Sequence, residues 1–408
     1  MRKYKYVKHQ KKMKLLFLFS IILFLYISKK HSNKITIDES KIFTTWATGI
    51  HPARSTPIKL NGNSLRQILK ITAPGQKIRI KLSNQNGDSK LEIKKACIAN
   101  VTNKNETNGK SMKYFKFNGK RNIIIEKGEE FYSDPIFYPL EPSSEIAISL
   151  YFGMVPNKLS GHNYSTTYSY IEKGNKIKKR IFTNKYKVEH WYFISAIEVI
   201  SDDEPKKTIV CFGDSITDGV VFYNNERANY PDLLYDKLLK NNMGDIAVVN
   251  EGINAERITE QGIQRFDHEV LDIKGIGYII VLYGVNDLNV LNSTSKEIIE
   301  GYREIIEKAR IKNILIYAGT IIPFSDYNKK YLWNKNKEKV RKEVNNWIKR
   351  TKPKNGGFDS YFDFDKYLKD PKNETRMNDI YDSGDGIHPG LEGSKKMVEL
   401  INLDLFSK

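Results

Sequence analysis

Two segments of the chain hold the residue types that can activate a serine for nucleophilic attack. Ser215 lies in Gly213-Asp-Ser-Ile-Thr217, directly after an apolar run, and Asp385 stands three residues before His388 in a polar loop. Such a carboxylate can orient one imidazole nitrogen, which leaves the other free to take the proton of a serine hydroxyl. Each segment alone also fits a simpler role, because Ser215 could cap a helix and His388 could be a surface histidine.

Two further polar positions stand where apolar runs end. Gly252 follows the run 246–249, and Asn286 follows the run 278–282. A glycine at such a place lets a backbone N–H approach a ligand closely, and an asparagine amide can point at a negatively charged oxygen. Either residue could equally be part of an ordinary turn.

The second half of the sequence predicts the elements that would position these residues. Apolar runs at 208–212, 246–249, 278–282 and 314–318 alternate with helical patterns at 231–239, 295–311 and 336–350. This alternation is typical of a parallel sheet with helices on both faces. The carboxyl ends of such strands meet at one edge of the sheet, which is where α/β folds place ligands.

The first half predicts a different fold. The segments 77–82, 91–94, 121–125 and 145–151 have the short alternating pattern of half-buried strands, with turn residues between them. We expect an all-β sandwich or jelly roll at 42–200 and an α/β domain at 206–408. The boundary is placed in the charged, proline-containing stretch 201–207.

Taken together, the four segments resemble the SGNH (GDSL-type) hydrolase family, whose blocks supply Ser, Gly, Asn and His in this chain order. The matching motifs are G-D-S-I-T at 213–217, N-x-G at 250–252, G-x-N-D at 284–287 and D-x-x-H-P at 385–389. Segments 228–234, 319–324 and 362–371 are similar to further stretches of the family. Segments 45–47, 65–67 and 79–84 are similar to a β-domain that precedes one extracellular branch of it.

The resemblance implies a flavodoxin-like α/β fold and a role for each residue. Ser215 would be the nucleophile, His388 the base and Asp385 the acid that orients it. The backbone N–H groups of Ser215 and Gly252 and the Asn286 side chain would form the oxyanion hole. An ester would then be cleaved through an acyl-enzyme, without a metal or an organic cofactor.

The resemblance leaves the substrate open. By analogy, a β-domain fused to such a hydrolase suggests removal of acyl groups, such as acetyl, from a carbohydrate or another extracellular ester. A lipase or short-chain esterase of the same mechanism is an alternative, and so is a catalytically silent glycan-binding protein. The sequence departs from the family branch after His388-Pro389, where Gly390-Leu391 replaces Asn-Asp, and at Tyr230, where tryptophan is common.

The net charge of +19 suggests a nucleic-acid partner until its location is considered. Residues 1–34 hold ten basic residues and no acidic one, and the rest of the chain carries +9. The basic run is followed by the uncharged apolar segment 15–28, the order found in export signals. This predicts a signal peptide or an uncleaved N-terminal membrane anchor, and an extracellular location in either case. More than half of the excess charge lies in this segment, and no nucleic-acid motif accompanies it. The sequence therefore predicts no nucleic-acid partner.

Cysteine and histidine usage completes these expectations. Cys97 and Cys211 both fall in predicted strands, and two small buried side chains are favoured over a disulfide. The histidines outside the Asp385-His388 motif show no metal-ligand spacing, so no metal site is expected. The sequence predicts an ester of a small molecule or polysaccharide as substrate, with the oligomeric state open.

Overall fold

The structure is a computed structural model that describes residues 38–201, 206–222, 226–325 and 333–407. Residues 40–408 belong to one compact unit. The predicted export segment at 1–34 therefore lies outside the described residues. None of the described helices combines the length and apolar composition that crossing a bilayer requires.

Residues 42–200 form short strands connected by turns. In chain order they are β1 (Ile42–Ala47), β2 (His51–Ala53), β3 (Ser64–Lys70), β4 (Gly75–Ser83), β5 (Leu91–Asn103), β6 (Glu106–Thr107), β7 (Lys113–Tyr114), β8 (Ile123–Ile125), β9 (Glu130–Tyr132), β10 (Ile136–Leu140), β11 (Glu145–Phe152), β12 (Leu159–Asn163), β13 (Ser169–Glu172), β14 (Lys187–Val188), β15 (His190–Tyr192) and β16 (Ile194–Ile200). We call this segment the β part.

The strands of the β part pair antiparallel in three sheets. One has the order β1-β16-β4-β10, with β9 beside β4, and a second has the order β14-β13-β3-β11-β5-β6, with β7 and β8 beside β5. The third, smaller sheet has the order β15-β12-β2. Alternate residues of facing strands, such as Ile80, Ile148 and Ile197, are fully buried in one hydrophobic core. The predicted all-β sandwich is confirmed.

Residues 208–407 form the α/β part. Its strands are β17 (Thr208–Gly213), β18 (Ala247–Gly252), β19 (Ile276–Leu282), β20 (Leu315–Gly319), β21 (Ser360–Phe362), β22 (Lys369–Asp370) and β23 (Asn373–Met377). Its α-helices are α1 (Ser215–Asp218), α2 (Tyr230–Lys240), α3 (Ile263–Arg265), α4 (Ser295–Ile311), α5 (Lys335–Arg350), α6 (Phe364–Leu368) and α7 (Leu391–Leu400). Short π-helical segments cover Ile258–Gly262, Phe266–Val270 and Asp287–Leu291.

The α/β part is built on one parallel sheet of order β18-β17-β19-β20-β21. Numbered by appearance in the chain, this order is 2-1-3-4-5, the doubly wound flavodoxin-like arrangement. The residues of β17 are all buried, as expected for a strand covered by helices on both faces. The predicted α/β fold is confirmed, and the carboxyl ends of β17, β18 and β19 meet at one edge.

Local sequence explains where the helices next to that edge begin. The side chain of Asn229 caps α2 by accepting a hydrogen bond from the N–H of Asp232 at 2.9 Å. Thr294 and Glu297 form a reciprocal capping box at the start of α4. Both caps satisfy N–H groups that a helix leaves without internal partners.

The β part packs directly on the edge strand β18. Thr48 forms an isolated parallel bridge with Asn250, and the N–H of Thr44 donates to the carbonyl of Lys274 at 2.9 Å. The N–H of Val248 donates to Thr72 Oγ1 at 3.3 Å. An edge strand presents unpaired backbone groups, so the contacts of Thr48 and Thr72 cover an edge of β18 that would otherwise face water, whereas Lys274 belongs to the turn before β19.

Candidate active site

Ser215 lies where β17 ends and α1 begins. Asp214 caps this helix, because its Oδ1 accepts a hydrogen bond from the N–H of Ile216 at 3.0 Å. The turn depends on Gly213, since an added Cβ there would lie 2.1 Å from Thr217 Oγ1 and 2.6 Å from the carbonyl oxygen of Leu282. The strand, the glycine and the cap together hold Ser215 at the carboxyl edge of the sheet.

His388 connects Ser215 to Asp385. Its Nε2 lies 2.8 Å from Ser215 Oγ, and its Nδ1 lies 2.6 Å from Asp385 Oδ2. The second carboxylate oxygen of Asp385 accepts from the N–H groups of Ile387 at 3.0 Å and His388 at 2.9 Å. The structure therefore brings the predicted serine, histidine and aspartate into one hydrogen-bonded chain.

Asp382 shapes the loop that carries Asp385 and His388. Its Oδ1 accepts hydrogen bonds from the N–H groups of Gly384 at 2.8 Å, Asp385 at 3.2 Å and Gly386 at 3.0 Å. Gly384 and Gly386 both have positive φ, which glycine adopts without steric cost. This folded loop explains why two residues only three positions apart can make the side-chain contact.

The environment of Asp385 keeps its carboxylate ionised. Burial alone would raise its pKa, but the hydrogen bond and charge of His388 and the two backbone N–H groups lower the pKa to about 2. Asp385 is therefore an acceptor at neutral pH, so it fixes the proton of the imidazole on Nδ1. The free Nε2 then faces the serine hydroxyl as an acceptor.

Asn286 lies at the end of the loop that follows β19. Its amide Nδ2 donates one hydrogen bond to the carbonyl of Glu256 at 3.0 Å. The next residue, Asp287, accepts from the N–H groups of Ile258 at 3.1 Å and Thr259 at 3.0 Å. Both contacts join the Asn286 loop to the loop after β18, and an amide nitrogen carries a second hydrogen that this bond does not use.

Gly252 lies beside α1, but its N–H is already engaged. It donates to Asn250 Oδ1 at 2.9 Å, and an added Cβ would lie 2.2 Å from the backbone nitrogen of Asp218. The structure thus gives Gly252 a packing reason to be glycine. Its assignment as an oxyanion donor stays a prediction.

Ala255, which the sequence analysis did not single out, offers another donor in the same loop. It has φ of 63°, in the left-handed region that non-glycine residues rarely adopt. Among the described residues, no hydrogen bond engages its N–H. Ala255 immediately precedes Glu256, whose carbonyl binds Asn286. An alanine carries no sequence signal for this conformation, so only the structure reveals it.

A buried ionic cluster holds the next residue, Glu256, in place. Glu256 Oε2 accepts from Arg265 Nε at 2.6 Å and from the hydroxyl of Tyr283 at 2.9 Å. Arg265 also pairs with Glu269 at 3.0 Å. These residues were not predicted from the sequence, because their spacing matches no motif, and they rigidify the loop beside Asn286.

Asp214 is a buried acid next to the nucleophile. Its Oδ2 has no hydrogen-bond partner among the described residues. Burial raises the pKa of Asp214 to about 7, with the nearby carboxylates of Asp287 and Glu256 adding to the effect and His388 opposing it. Asp214 therefore titrates near neutral pH.

Two other expectations concern cysteines and metals. Cys97 and Cys211 are free and buried, which confirms the prediction that they are small buried side chains. Within the described ranges, no group of three or more His, Cys, Asp or Glu side chains could hold a metal ion.

Comparison with known proteins identifies the family of the α/β part. Residues 211–396 match the model of the GDSL-like Lipase/Acylhydrolase family. No curated protein matches this sequence.

Similar solved structures cover about half of the chain. One is a protein described as lipolytic and of the G-D-S-L family from Desulfitobacterium hafniense DCB-2, 22% identical, covering 48% of this chain and 97% of that one with a TM-score of 0.38. A GDSL-like lipase from Bacteroides thetaiotaomicron VPI-5482 is 18% identical, covering 49% and 88% with a TM-score of 0.39. An acetyl xylan esterase is 20% identical, covering 49% and 98% with a TM-score of 0.39.

The family match covers the segments that hold Ser215, Gly252, Asn286, Asp385 and His388. Members of this family act on ester bonds. Residues 211–396 of the α/β part therefore match a family of esterases, the GDSL-like lipases and acylhydrolases.

Proposed function

We propose that this esterase works through a serine acyl-enzyme and removes small acyl groups, such as acetyl, from an extracellular carbohydrate. The observation that carries the mechanism is the hydrogen-bonded chain from Ser215 Oγ through His388 to Asp385, with distances of 2.8 and 2.6 Å. A serine hydroxyl is a weak nucleophile until a base removes its proton, and His388 Nε2 is within reach of that proton.

The reaction proceeds in two stages. Ser215 Oγ attacks the ester carbonyl while His388 accepts its proton, and the negative charge of the tetrahedral intermediate develops on the carbonyl oxygen. Donors from α1, from the loop after β18 and from Asn286 stabilise that oxygen. His388 then returns the proton to the leaving alcohol, and a water molecule, activated by the same histidine, releases the acid from Ser215.

Asp385 supports both stages through charge. Each proton transfer leaves His388 positively charged, and the adjacent carboxylate stabilises that imidazolium while holding the ring in one orientation. Its pKa of about 2 keeps the carboxylate ionised throughout the neutral range.

The carbohydrate part of the proposal rests on the β part and its similarity to the β-domain found before an extracellular branch of the family. A second substrate class is favoured by a specific observation. Ile380 and Leu391, which flank the Asp385–His388 loop in the chain, are 70% and 46% exposed. Exposed apolar side chains at this position would also suit a longer acyl chain or a lipid surface.

A fluorophosphonate probe tests the nucleophile. We expect it to label the wild type at Ser215, identified by peptide mass spectrometry, and not to label Ser215→Ala. Ser133→Ala is the matched control, because Ser133 is a buried serine of the β part whose Oγ accepts from the N–H of Ile80 and donates to the carbonyl of Asp134. A wild type that resists labelling, at concentrations that label a control esterase, would overturn the mechanism.

Substrate class is tested with the same preparations. We expect p-nitrophenyl acetate to be hydrolysed faster than the butyrate and octanoate esters, and acetate to be released from an acetylated polysaccharide. A preference for octanoate would instead support the lipid alternative.

We also propose an extracellular location, with residues 15–28 acting as a signal peptide or a membrane anchor. The support is the basic segment followed by an uncharged apolar one. Fractionation of expressing cells, with an antibody against the α/β part, tests this. Finding the protein in the cytoplasmic fraction alone would contradict it.

A further inference from the structure

His162 lies on β12 of the β part, yet its imidazole faces the helix that begins at Ser215. Nε2 is 3.0 Å from Asp218 Oδ1, and Nδ1 is 2.9 Å from the carbonyl oxygen of Gly49. The side chains of His162 and Asp218 are each only 3% exposed. Removing either partner would leave the other buried without its hydrogen bond, which is costly in a dry environment.

Asp218 uses its second carboxylate oxygen on a different segment. Oδ2 accepts a hydrogen bond at 3.0 Å from the N–H of Asn254, the residue before Ala255. Asp218 itself is the last residue of α1, which begins at Ser215. One carboxylate therefore ties the helix of the nucleophile to the loop that carries the free N–H of Ala255.

Gly49 contacts the same loop from the β part. An added Cβ at Gly49 would lie 2.6 Å from the side chain of Ile253, the residue before Asn254. The backbone that accepts the Nδ1 proton of His162 is thus packed against the loop that Asp218 holds. The β part therefore reaches this loop directly through Gly49 at Ile253, and indirectly through His162 and Asp218 at Asn254.

The acceptors around His162 determine where its protons lie. A carbonyl oxygen only accepts, so Nδ1 carries a proton. The hydrogen bond between Nε2 and the Asp218 carboxylate requires a second proton. Burial lowers the pKa of His162, but Asp218 and the Gly49 carbonyl outweigh this and raise it above its ordinary value. His51 lies 5.5 Å from the His162 ring and Trp191 lies 5.7 Å from it, measured between ring centroids, and the charges of His190 and Arg265 also act on this group.

We propose that His162 is a positioning residue for ester hydrolysis: through Asp218 it holds the segment 253–255, so that the N–H of Ala255 faces the oxygen that becomes negative in the reaction. The inference rests on the proposed function and deepens it. His162 does not touch the substrate and acts only through Asp218. A donor displaced by a fraction of an ångström loses transition-state stabilisation while substrate binding is preserved.

Steady-state kinetics of full-length variants with p-nitrophenyl acetate test this. We expect His162→Ala to lower kcat by about 10- to 100-fold, with KM changed by less than about threefold. Asn84→Ala is the matched control, because Asn84 is a buried side chain of the β part that holds three backbone carbonyls and has no contact with α1. Asn84→Ala should keep its kcat even if its Tm falls.

A double-mutant cycle separates positioning from general destabilisation. If His162 acts through Asp218, the double variant with Asp218→Ala should lose no more kcat than the worse single variant. His162→Gln provides a second variant should His162→Ala fold poorly. Its amide can donate to Asp218, and we expect it to recover part of the lost kcat.

Three results would overturn the inference: wild-type kcat in a folded His162→Ala, multiplicative losses in the cycle, or an equal loss of kcat in Asn84→Ala. The proposed function fails separately. If it is wrong, the wild type itself is neither labelled by the fluorophosphonate nor able to turn over the ester.

Discussion

The Nε2 atom of His388 lies 2.8 Å from the Oγ of Ser215, although 173 positions separate the two residues in the chain. The contact forms because Ser215 ends the central strand β17, whereas His388 lies on a loop folded around Asp382. Neither side chain would be placed by its local sequence alone. A change in the segment that holds Ser215 or in the loop that holds His388 should therefore alter the distance between the two side chains.

Asp385→Asn should lower kcat by on the order of 10³–10⁴. The amide keeps the size of the side chain, but it removes the charge that stabilises the imidazolium and no longer fixes the proton on Nδ1. Initial rates of p-nitrophenyl acetate hydrolysis, measured across pH 5–9, give the loss of kcat. The control is Asp379→Asn, a highly exposed aspartate nearby in the chain that pairs with Arg376 on the surface. Less than a tenfold loss in Asp385→Asn would contradict the role given to Asp385.

Asn286→Ala should lower kcat by on the order of 10²–10³, with little change in KM. The amide would contact the carbonyl oxygen most strongly when that oxygen is negatively charged, so its removal affects the transition state more than the bound ester. Asn289→Ala serves for comparison, because Asn289 is a buried asparagine three residues further along. If both variants behave alike, Asn286 has only a structural role.

Gly252→Ala should destabilise the fold by about 1–3 kcal/mol. The new Cβ would lie 2.2 Å from the backbone nitrogen of Asp218, and backbone atoms cannot move aside as a flexible side chain can. Urea unfolding measures the change. Gly109→Ala, whose added Cβ would meet nothing within 4 Å, should be neutral within about 0.5 kcal/mol. Equal free energies of unfolding for Gly252→Ala and Gly109→Ala would contradict the close contact between Gly252 and the backbone of Asp218.

Ala255→Gly should stabilise the protein by about 0.5–1 kcal/mol and keep kcat within a few-fold. The left-handed conformation at φ of 63° costs an alanine about 1–2 kcal/mol, and the extra flexibility of unfolded glycine offsets part of that gain. Asn292→Gly is a useful comparison, since Asn292 has φ of 56° but asparagine tolerates this region better. A destabilised Ala255→Gly would contradict the backbone conformation described for this loop.

Asp214→Asn should raise Tm at pH 8 and leave it unchanged near pH 4. Burial raises the pKa of Asp214 to about 7, whereas an aspartate in the unfolded chain titrates near ~3.9. The folded state binds the proton more tightly, so this stability is fully present below about pH 4 and is lost as the pH rises through 7. Asparagine keeps the helix cap and cannot ionise. Thermal unfolding of the wild type and of Asp214→Asn at pH 4 and pH 8 tests this. Equal Tm values of the two proteins at pH 8 would contradict the raised pKa of Asp214.

Much of the fold could be predicted from the sequence, because its signals are local. The alternating pattern at 77–82 and 145–151 corresponds to β4 and β11, and the apolar runs at 208–212 and 278–282 correspond to β17 and β19. Strand and helix periods depend only on near neighbours in the chain. The motif residues also carried enough information to suggest which side chains meet.

The remainder could not be predicted, because it depends on contacts between distant segments. Nothing in the sequence around His162 indicates that it meets Asp218, 56 positions away. The left-handed Ala255 and the buried Arg265 are likewise decided by packing rather than by local preference. The N–H of Gly252 is engaged by Asn250, whereas no described residue engages the N–H of Ala255, and this difference between two N–H groups of one loop is also set by the fold.

The bridge between Thr48 and Asn250 has a consequence for how this protein could be recombined. The sequence divides into two halves with different patterns. However, the outer neighbour of the edge strand β18 in the parallel sheet comes from the β part. An exchange of the β part for an unrelated one would expose that strand and would remove the partner of Asp218. The two halves therefore depend on each other structurally, and we expect the enzyme to keep working only when substitutions preserve the contacts between them.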